Sequence, residues 1–203
     1  MCKDITEKGA GFDRQTEKDL LKRVLADKEA FGTLYDYYYP RLYNYIIARV
    51  GEAVTAEDLA SDIFEKAFGK LSSYDHSRGR FSTWLFSIAN NAVRDYFRLR
   101  AKYTALPLES EAATAADSEN PLTKVVEMDM KRCLLKAVQS LKDRAQNIVG
   151  LKFWGGLTNR QIAQMLEMNE STVSVVLFRS MKHLRAFLQE NNCFETSGPE
   201  PIP

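Results

Sequence analysis

The chain has 203 residues, 45% of them apolar and 27% charged, which suits one large or two small packed domains and excludes collagen and a wholly disordered chain. No stretch approaches the ~18 consecutive apolar residues of a spanning helix, and the polar first 20 residues carry no apolar segment of a secretory signal, so no membrane insertion is expected. The three cysteines, Cys2, Cys133 and Cys193, are an odd and widely spaced set that matches neither a disulfide framework nor a zinc pattern, and read as isolated reduced thiols in a cytoplasmic protein. His76 and His183 lie far apart and form no metal cluster, so no cofactor is expected.

Residues 1–15 read as a loose, disordered tail. From Thr16, a candidate cap, Leu20, Leu21, Val24 and Leu25 recur at helical spacing. A second helix carries Phe31, Leu34, Tyr35 and Tyr38. Pro40 suits the first turn of a third, with Leu42, Tyr43, Ile46, Ile47 and Val50 as its apolar face and Gly51 as its stop. Thr55 to Asp58 resembles a capping box that opens a helix with Leu59, Ile63, Ala67 and Leu71 on one face. Residues 72–81 have loop composition. Ser82 then caps a long helix to about Lys102, with Leu85, Ile88, Ala89, Ala92 and Tyr96 inward. Residues 103–122, rich in Ala, Ser and Glu with two prolines, form a flexible acidic linker between a domain at 16–102 and another at 123–188.

In the second domain Val126, Met130, Cys133, Leu134, Ala137, Val138 and Leu141 make one stripe. Ile148, Val149 and Phe153 belong to the next helix, stopped by Gly155 and Gly156. Thr158 to Gln161 is a capping box opening a short helix with Ile162, Ala163 and Leu166. A turn follows in which Glu167 stands at a position that wants positive φ. The last helix runs from about Glu170 to Leu188, with Val173, Leu177, Leu184 and Leu188 inward, before a disordered tail at 189–203. No segment alternates with the period of a strand, so the fold is all-α.

The small net charge of +1 conceals blocks. Residues 57–75 carry −3, 76–102 carry +5, 103–123 carry −4 and 131–188 carry +7. Two basic blocks separated by an acidic one suit two surfaces that face a polyanion and a segment that avoids it. Asp58, Asp62 and Glu65 fall at i, i+4 and i+7, an acidic stripe. Ser87, Asn91, Arg94 and Arg98 form a polar and basic stripe whose amide and guanidinium groups can reach phosphates and base edges. The loop before it carries Arg78, Arg80, Tyr74 and Phe81, positive charge beside stacking surface; Phe81 and Trp84 also suit a core.

A short capped helix, a tight turn and a longer helix with an apolar face is a helix-turn-helix pattern. The second helix would place Glu170, Ser171, Ser174, Val175, Phe178 and Arg179 in the major groove and Lys182 near phosphates. Val175 and Val176, with Phe178 nearby, would suit a thymine C5-methyl where they are exposed. Val176 can turn either way at this spacing, whereas Val175 points further from the apolar stripe.

Taken together, these segments resemble the extracytoplasmic-function RNA polymerase sigma factors. Ala56-Glu57-Asp58-Leu59-Ala60-Ser61-Asp62-Ile63-Phe64 is similar to the family's core-binding stretch, with Ser61 in place of the usual Gln. Residues 74–85 resemble its promoter-melting loop, Ile88 to Asn91 with Asp95 and Arg98 the helix after it, and Gly156-Leu157-Thr158, Ile162-Ala163, Leu166 and Thr172-Val173 its fourth region. The resemblance implies a sigma region 2 bundle and a region 4 helix-turn-helix. It implies a transcription initiation factor that binds core RNA polymerase through Asp58, Asp62 and Glu65. It further implies −10 recognition and melting by the 78–98 residues, −35 recognition by the last helix, and an anti-sigma factor as a further partner. Ser174-Val175-Val176 departs from the Lys/Ser/Arg-like run usual there. No catalytic constellation is present, so no enzyme is expected. Two other classes fit parts of the pattern, a DNA-binding regulator that never joins a polymerase and a helical interaction protein. The acidic stripe beside a melting-type loop argues against the first, and the basic blocks against the second.

Overall fold

In the computed structural model the described residues are 14–27, 30–103, 123–191 and 193, and among them every regular element is helical. The first half contains α1 (Arg14–Ala26), α2 (Phe31–Val50), α3 (Ala53–Gly69), a 3-10 turn at Leu71–Ser73, and α4 (Phe81–Tyr103). The second contains α5 (Thr123–Gln139), α6 (Asp143–Phe153), α7 (Asn159–Met165) and α8 (Glu170–Glu190). Residues 1–13, 104–122 and 194–203, which hold most of the expected linker and tails, lie outside the described residues.

In the first half α2 packs on α3 and α4. Leu34, Leu42 and Ile46 of α2, Ile63 of α3 and Leu85 and Val93 of α4 are fully buried, each side chain contributing roughly 1.5–3 kcal/mol on leaving water. Ala56, Ala60 and Ala67, also buried, let α3 approach its neighbours closely. In the second half α5, α6 and α7 pack against α8, around Ile148, Leu151, Ile162, Val173 and Leu184. The halves also meet, because α5 and α6 pack on α2.

Four helix boundaries differ from the sequence reading. Thr16 lies inside α1 rather than capping it. Pro40 does not open a third helix but lies within α2. A proline there costs about 3 kcal/mol and leaves the carbonyl of residue 36 unpaired. Asp36 and Pro40 are both exposed, so water can take that carbonyl, while buried Leu34, Tyr38, Leu42 and Tyr45 hold the helix together on either side. α3 begins at Ala53, ahead of the expected Thr55 box, and the Thr55 hydroxyl donates to Glu52 Oε2 at 2.7 Å. α4 begins at Phe81, not after a Ser82 cap.

Two further departures concern burial. Met130 and Leu134, on the expected apolar stripe of α5, are exposed, whereas Tyr45 and Phe86, off the expected inward faces, are fully buried. These two rings lie where the halves meet, so they are covered by the other half and not by the inward face of their own bundle. Cys133 and Cys193 are not isolated thiols but a disulfide that ties α5 to the residue just past α8, with Cα atoms 6.1 Å apart. The partners are 60 residues apart in sequence, so only the tertiary fold brings them together.

Candidate polymerase and nucleic-acid interfaces

Asp58, Asp62 and Glu65 are all exposed on α3, on the side away from buried Ala56, Ala60, Ile63 and Ala67. The expected acidic stripe therefore exists as one solvent-facing surface. An aromatic ladder on α2, which the sequence reading did not assign to a site, lies beside this helix. Tyr35 stacks on Tyr39 at 5.0 Å between centroids, Tyr39 on Tyr43 at 6.1 Å, and Tyr35 meets Phe64 of α3 at 4.7 Å. Partial burial, and then for Tyr39 the neighbouring Tyr35 and Glu57 and for Tyr43 Glu57, raise both hydroxyl pKa values.

The start of α4 is built from a distant element. Glu17 of α1 is only 2% exposed. Its Oε1 accepts the backbone N–H of Phe81, while Oε2 accepts from Arg80 Nε at 3.3 Å and Nη2 at 3.2 Å. The carboxylate thus caps α4 and holds Arg80 against the bundle. Phe81 has 0% exposure, with its ring 5.3 Å from Tyr38, 5.5 Å from Tyr74 and 5.4 Å from Trp84. The expectation that Phe81 offers a stacking face to DNA is corrected: its ring is core and has no surface to present. The preceding loop is locally shaped. Asp75 Oδ1 accepts from the Ser77 N–H at 2.8 Å, and hydrogen bonds from Ser77 lower the Asp75 pKa. Tyr74 Oη donates to the Gly79 carbonyl at 2.9 Å, and Arg78 is left exposed at the tip.

Along α4 the stripe Ser87, Asn91, Arg94 and Arg98 faces outward, with Ser87 half-buried and the other three exposed. Ser87 Oγ donates to the Trp84 carbonyl at 2.6 Å, so it offers its lone pairs. Arg94 Nη2 donates to Asn91 Oδ1 at 3.3 Å, and Arg98 pairs with Asp95 at 3.3 Å, both exposed contacts that a phosphate can displace.

The helix-turn-helix forms at the expected residues. Thr158 Oγ1 accepts from the Gln161 N–H at 3.2 Å and Gln161 Oε1 accepts from the Thr158 N–H at 2.8 Å, a complete capping box on α7. Glu167 adopts φ 52°, the left-handed turn conformation its position demanded. Glu170, Ser171, Ser174, Val175, Phe178, Arg179 and Lys182 are all exposed on α8. Val175 is 47% and Phe178 73% exposed, whereas Val176 packs against the core, which resolves the choice between the valines. Asn159, absent from the sequence reading, donates from Nδ2 to Ser174 Oγ at 3.0 Å and accepts from Lys152 Nζ at 3.0 Å, fixing α8 against α7. A partner three residues from a capping box is a local signal, but Ser174 lies 15 positions on.

Residues 34–103 match the family Sigma-70 region 2, and residues 131–184 match Sigma-70, region 4. The chain is 32% identical over 184 residues to the ECF RNA polymerase sigma factor BldN of Streptomyces coelicolor, covering 90% of this chain and 69% of that protein. It is 28% identical over 184 residues to the ECF RNA polymerase sigma factor SigW of Bacillus subtilis, covering 85% and 97%. In fold it is similar to the sigma factor RpoE of Bartonella quintana, solved in complex with the anti-sigma factor NepR, with a TM-score of 0.61 at 21% identity over 78% of this chain and 96% of that one. The two matched regions, in this order, define a promoter-specific transcription initiation factor that acts with RNA polymerase. The chain belongs to the extracytoplasmic-function sigma factors, a non-catalytic branch of the sigma-70 family.

Proposed function

We propose that residues 16–102 dock on core RNA polymerase through Asp58, Asp62 and Glu65 and open the promoter at its −10 element. Arg78, Ser87, Asn91, Arg94 and Arg98 contact that element, and Arg80 acts by positioning the loop through Glu17. Residues 123–188 read the −35 element through the exposed face of α8, from Glu170 to Lys182. The observation that carries this reading is the presence in one chain of a solvent-facing acidic stripe on α3 and a complete helix-turn-helix whose second helix exposes the expected residues. Run-off transcription with purified core enzyme over a genomic library tests it. Asp58→Arg with Asp62→Arg should abolish co-migration with core enzyme while changing stability by no more than ~0.5 kcal/mol. Arg78→Ala should reduce permanganate-reactive thymines more than promoter binding.

Among the described residues no helix is long and apolar enough to cross a membrane. The chain works in the cytoplasm, without enzymatic activity of its own, and an anti-sigma factor is its regulatory partner, as NepR is for the similar RpoE. Pull-down from the native cell with the folded chain as bait reads the last point.

A further inference from the structure

Side chains of α6, α7 and α8 form a hydrogen-bonded chain that ends on the exposed face of α8. Lys152 Nζ of α6 donates to Asn159 Oδ1 at 3.0 Å, Asn159 Nδ2 of α7 donates to Ser174 Oγ at 3.0 Å, and Ser174 Oγ donates to the Glu170 carbonyl at 3.1 Å. The direction of this chain is set at its start. An ammonium only donates, so the amide atom facing Lys152 is the oxygen. The atom facing Ser174 is then the nitrogen, which also only donates. The Ser174 hydroxyl therefore receives a hydrogen bond from Asn159 and gives its single hydrogen to its own helix.

A free serine hydroxyl donates or accepts as it rotates, and so can read any base in the major groove. Ser174 has lost that freedom. It is exposed, and of the two lone pairs of a hydroxyl it has one left to offer. In the major groove a lone pair finds its partner in the N4 amino group of cytosine or the N6 amino group of adenine. Guanine O6 and N7 and thymine O4 are themselves acceptors. Facing them, Ser174 must either break its bond to Glu170 or set oxygen lone pairs against an acceptor. Around it, Val175 and Phe178 carry no side-chain hydrogen-bonding atom, and Arg179 only donates. The carboxylate of Glu170 also accepts, so a test has to tell it from Ser174.

We propose that Asn159 is a positioning residue for −35 specificity: it holds Ser174 as an acceptor, so that the base facing Ser174 is adenine or cytosine. The inference rests on the proposed −35 role of α8. Discrimination at this base then originates on α6 and α7, outside the helix that touches the groove.

The test uses the full chain with core enzyme on a promoter recovered from the genomic library, with its upstream element randomised. Templates held in heparin-resistant complexes are recovered and sequenced. At one upstream position the wild type should favour adenine or cytosine over guanine or thymine by at least about threefold, the weight of a modest hydrogen bond. Ser174→Ala should lose that preference and leave the other positions unchanged, which marks the base that Ser174 faces. Asn159→Ala should bring the ratio at the marked position close to one, with α7 still folded because alanine suits a helix. Lys152→Met should relax the ratio too, by letting the amide turn over, and decides the matter alone if Asn159→Ala does not fold. A merely structural role for Asn159 lowers binding to every sequence alike and leaves the ratio as it is; that result would overturn the proposal. So would a preference for guanine or thymine at the marked position, or a Ser174→Ala variant whose base frequencies match the wild type. A wild-type chain that selects no upstream base at all sinks the −35 reading itself, and is told apart because it shows without any variant.

Discussion

Regions 2 and 4 start two of their helices, α4 and α7, by opposite means. In region 4, α7 is capped by its own first turn, Thr158 and Gln161 three residues apart. In region 2, α4 receives its cap from Glu17, 64 residues earlier, whose carboxylate also holds Arg80. A cap that the helix carries survives any rearrangement of neighbours. A cap supplied from α1 exists only while α1 is docked. Region 4 is thus locally specified and then covalently stapled by Cys133–Cys193, whereas α4 of region 2 depends on tertiary assembly.

The sharpest way to separate the regions is to remove the staple. Cys133→Ser, or reduction of the wild type, should destabilise region 4 by about 4 kcal/mol, as expected for a bond closing a loop of this length. Hydrogen exchange in α5 and α8 should accelerate while α2 and α3 hold their protection. Glu17→Ala tests the other region. It leaves the Phe81 N–H without its acceptor and removes the carboxylate that pairs with Arg80, and should cost about 2 kcal/mol, the pair being half open to solvent at Arg80. Urea denaturation followed by Trp84 fluorescence reads the loss, with Trp154→Phe removing the signal from region 4.

Alkaline pH should divide the regions again, because all nine tyrosines lie between residues 35 and 103. Burial, with Glu17 and Tyr37 nearby, holds Tyr38 protonated far above its ordinary range, and burial does the same for Tyr45. Unfolded tyrosines ionise near pH 10 while these two do not, so their stability contribution is intact below about pH 10 and falls above it. The slope is up to about 1.4 kcal/mol per pH unit for each. Tyrosinate absorbance should rise together with loss of region 2 helix, and Tyr38→Phe should flatten the limb. The smallest effect belongs to Thr158→Ala, about 1 kcal/mol confined to α7, since only one local cap is lost. A melting curve of full-length protein detects it as a small shift.

The same division explains what the amino-acid order reveals. The capping box at Thr158, the left-handed Glu167 and the outward face of α8 are set by neighbours within a few residues, and each stands where the pattern places it. The acidic stripe on α3 follows from helical period alone. The missed burials and the missed disulfide rest mainly on partners far along the chain. Phe81 reads as a loop aromatic until Tyr38, Tyr74 and Trp84 enclose it. Tyr45 and Phe86 fall off the expected faces because the region 4 backbone, at Gly150 and Gly155, supplies their cover. Cys133 and Cys193 carry no spacing that announces a bond 60 residues long. Pro40 marks a helix start by local rule, and packing on both sides of it overrides that rule.

The dependence of α4 on Glu17 also bears on where this protein can be cut. The region 2 match begins at residue 34, and a fragment trimmed there keeps all of α3 and α4 and all of α2 except residues 31–33. It discards the acid that terminates the α4 backbone, and it opens the floor beneath Arg80. Such a fragment should remain helical yet fray from Phe81 inward, releasing the ring of Phe81 from its aromatic neighbours. The smallest self-sufficient unit of region 2 therefore starts at α1, not at the edge of the family match.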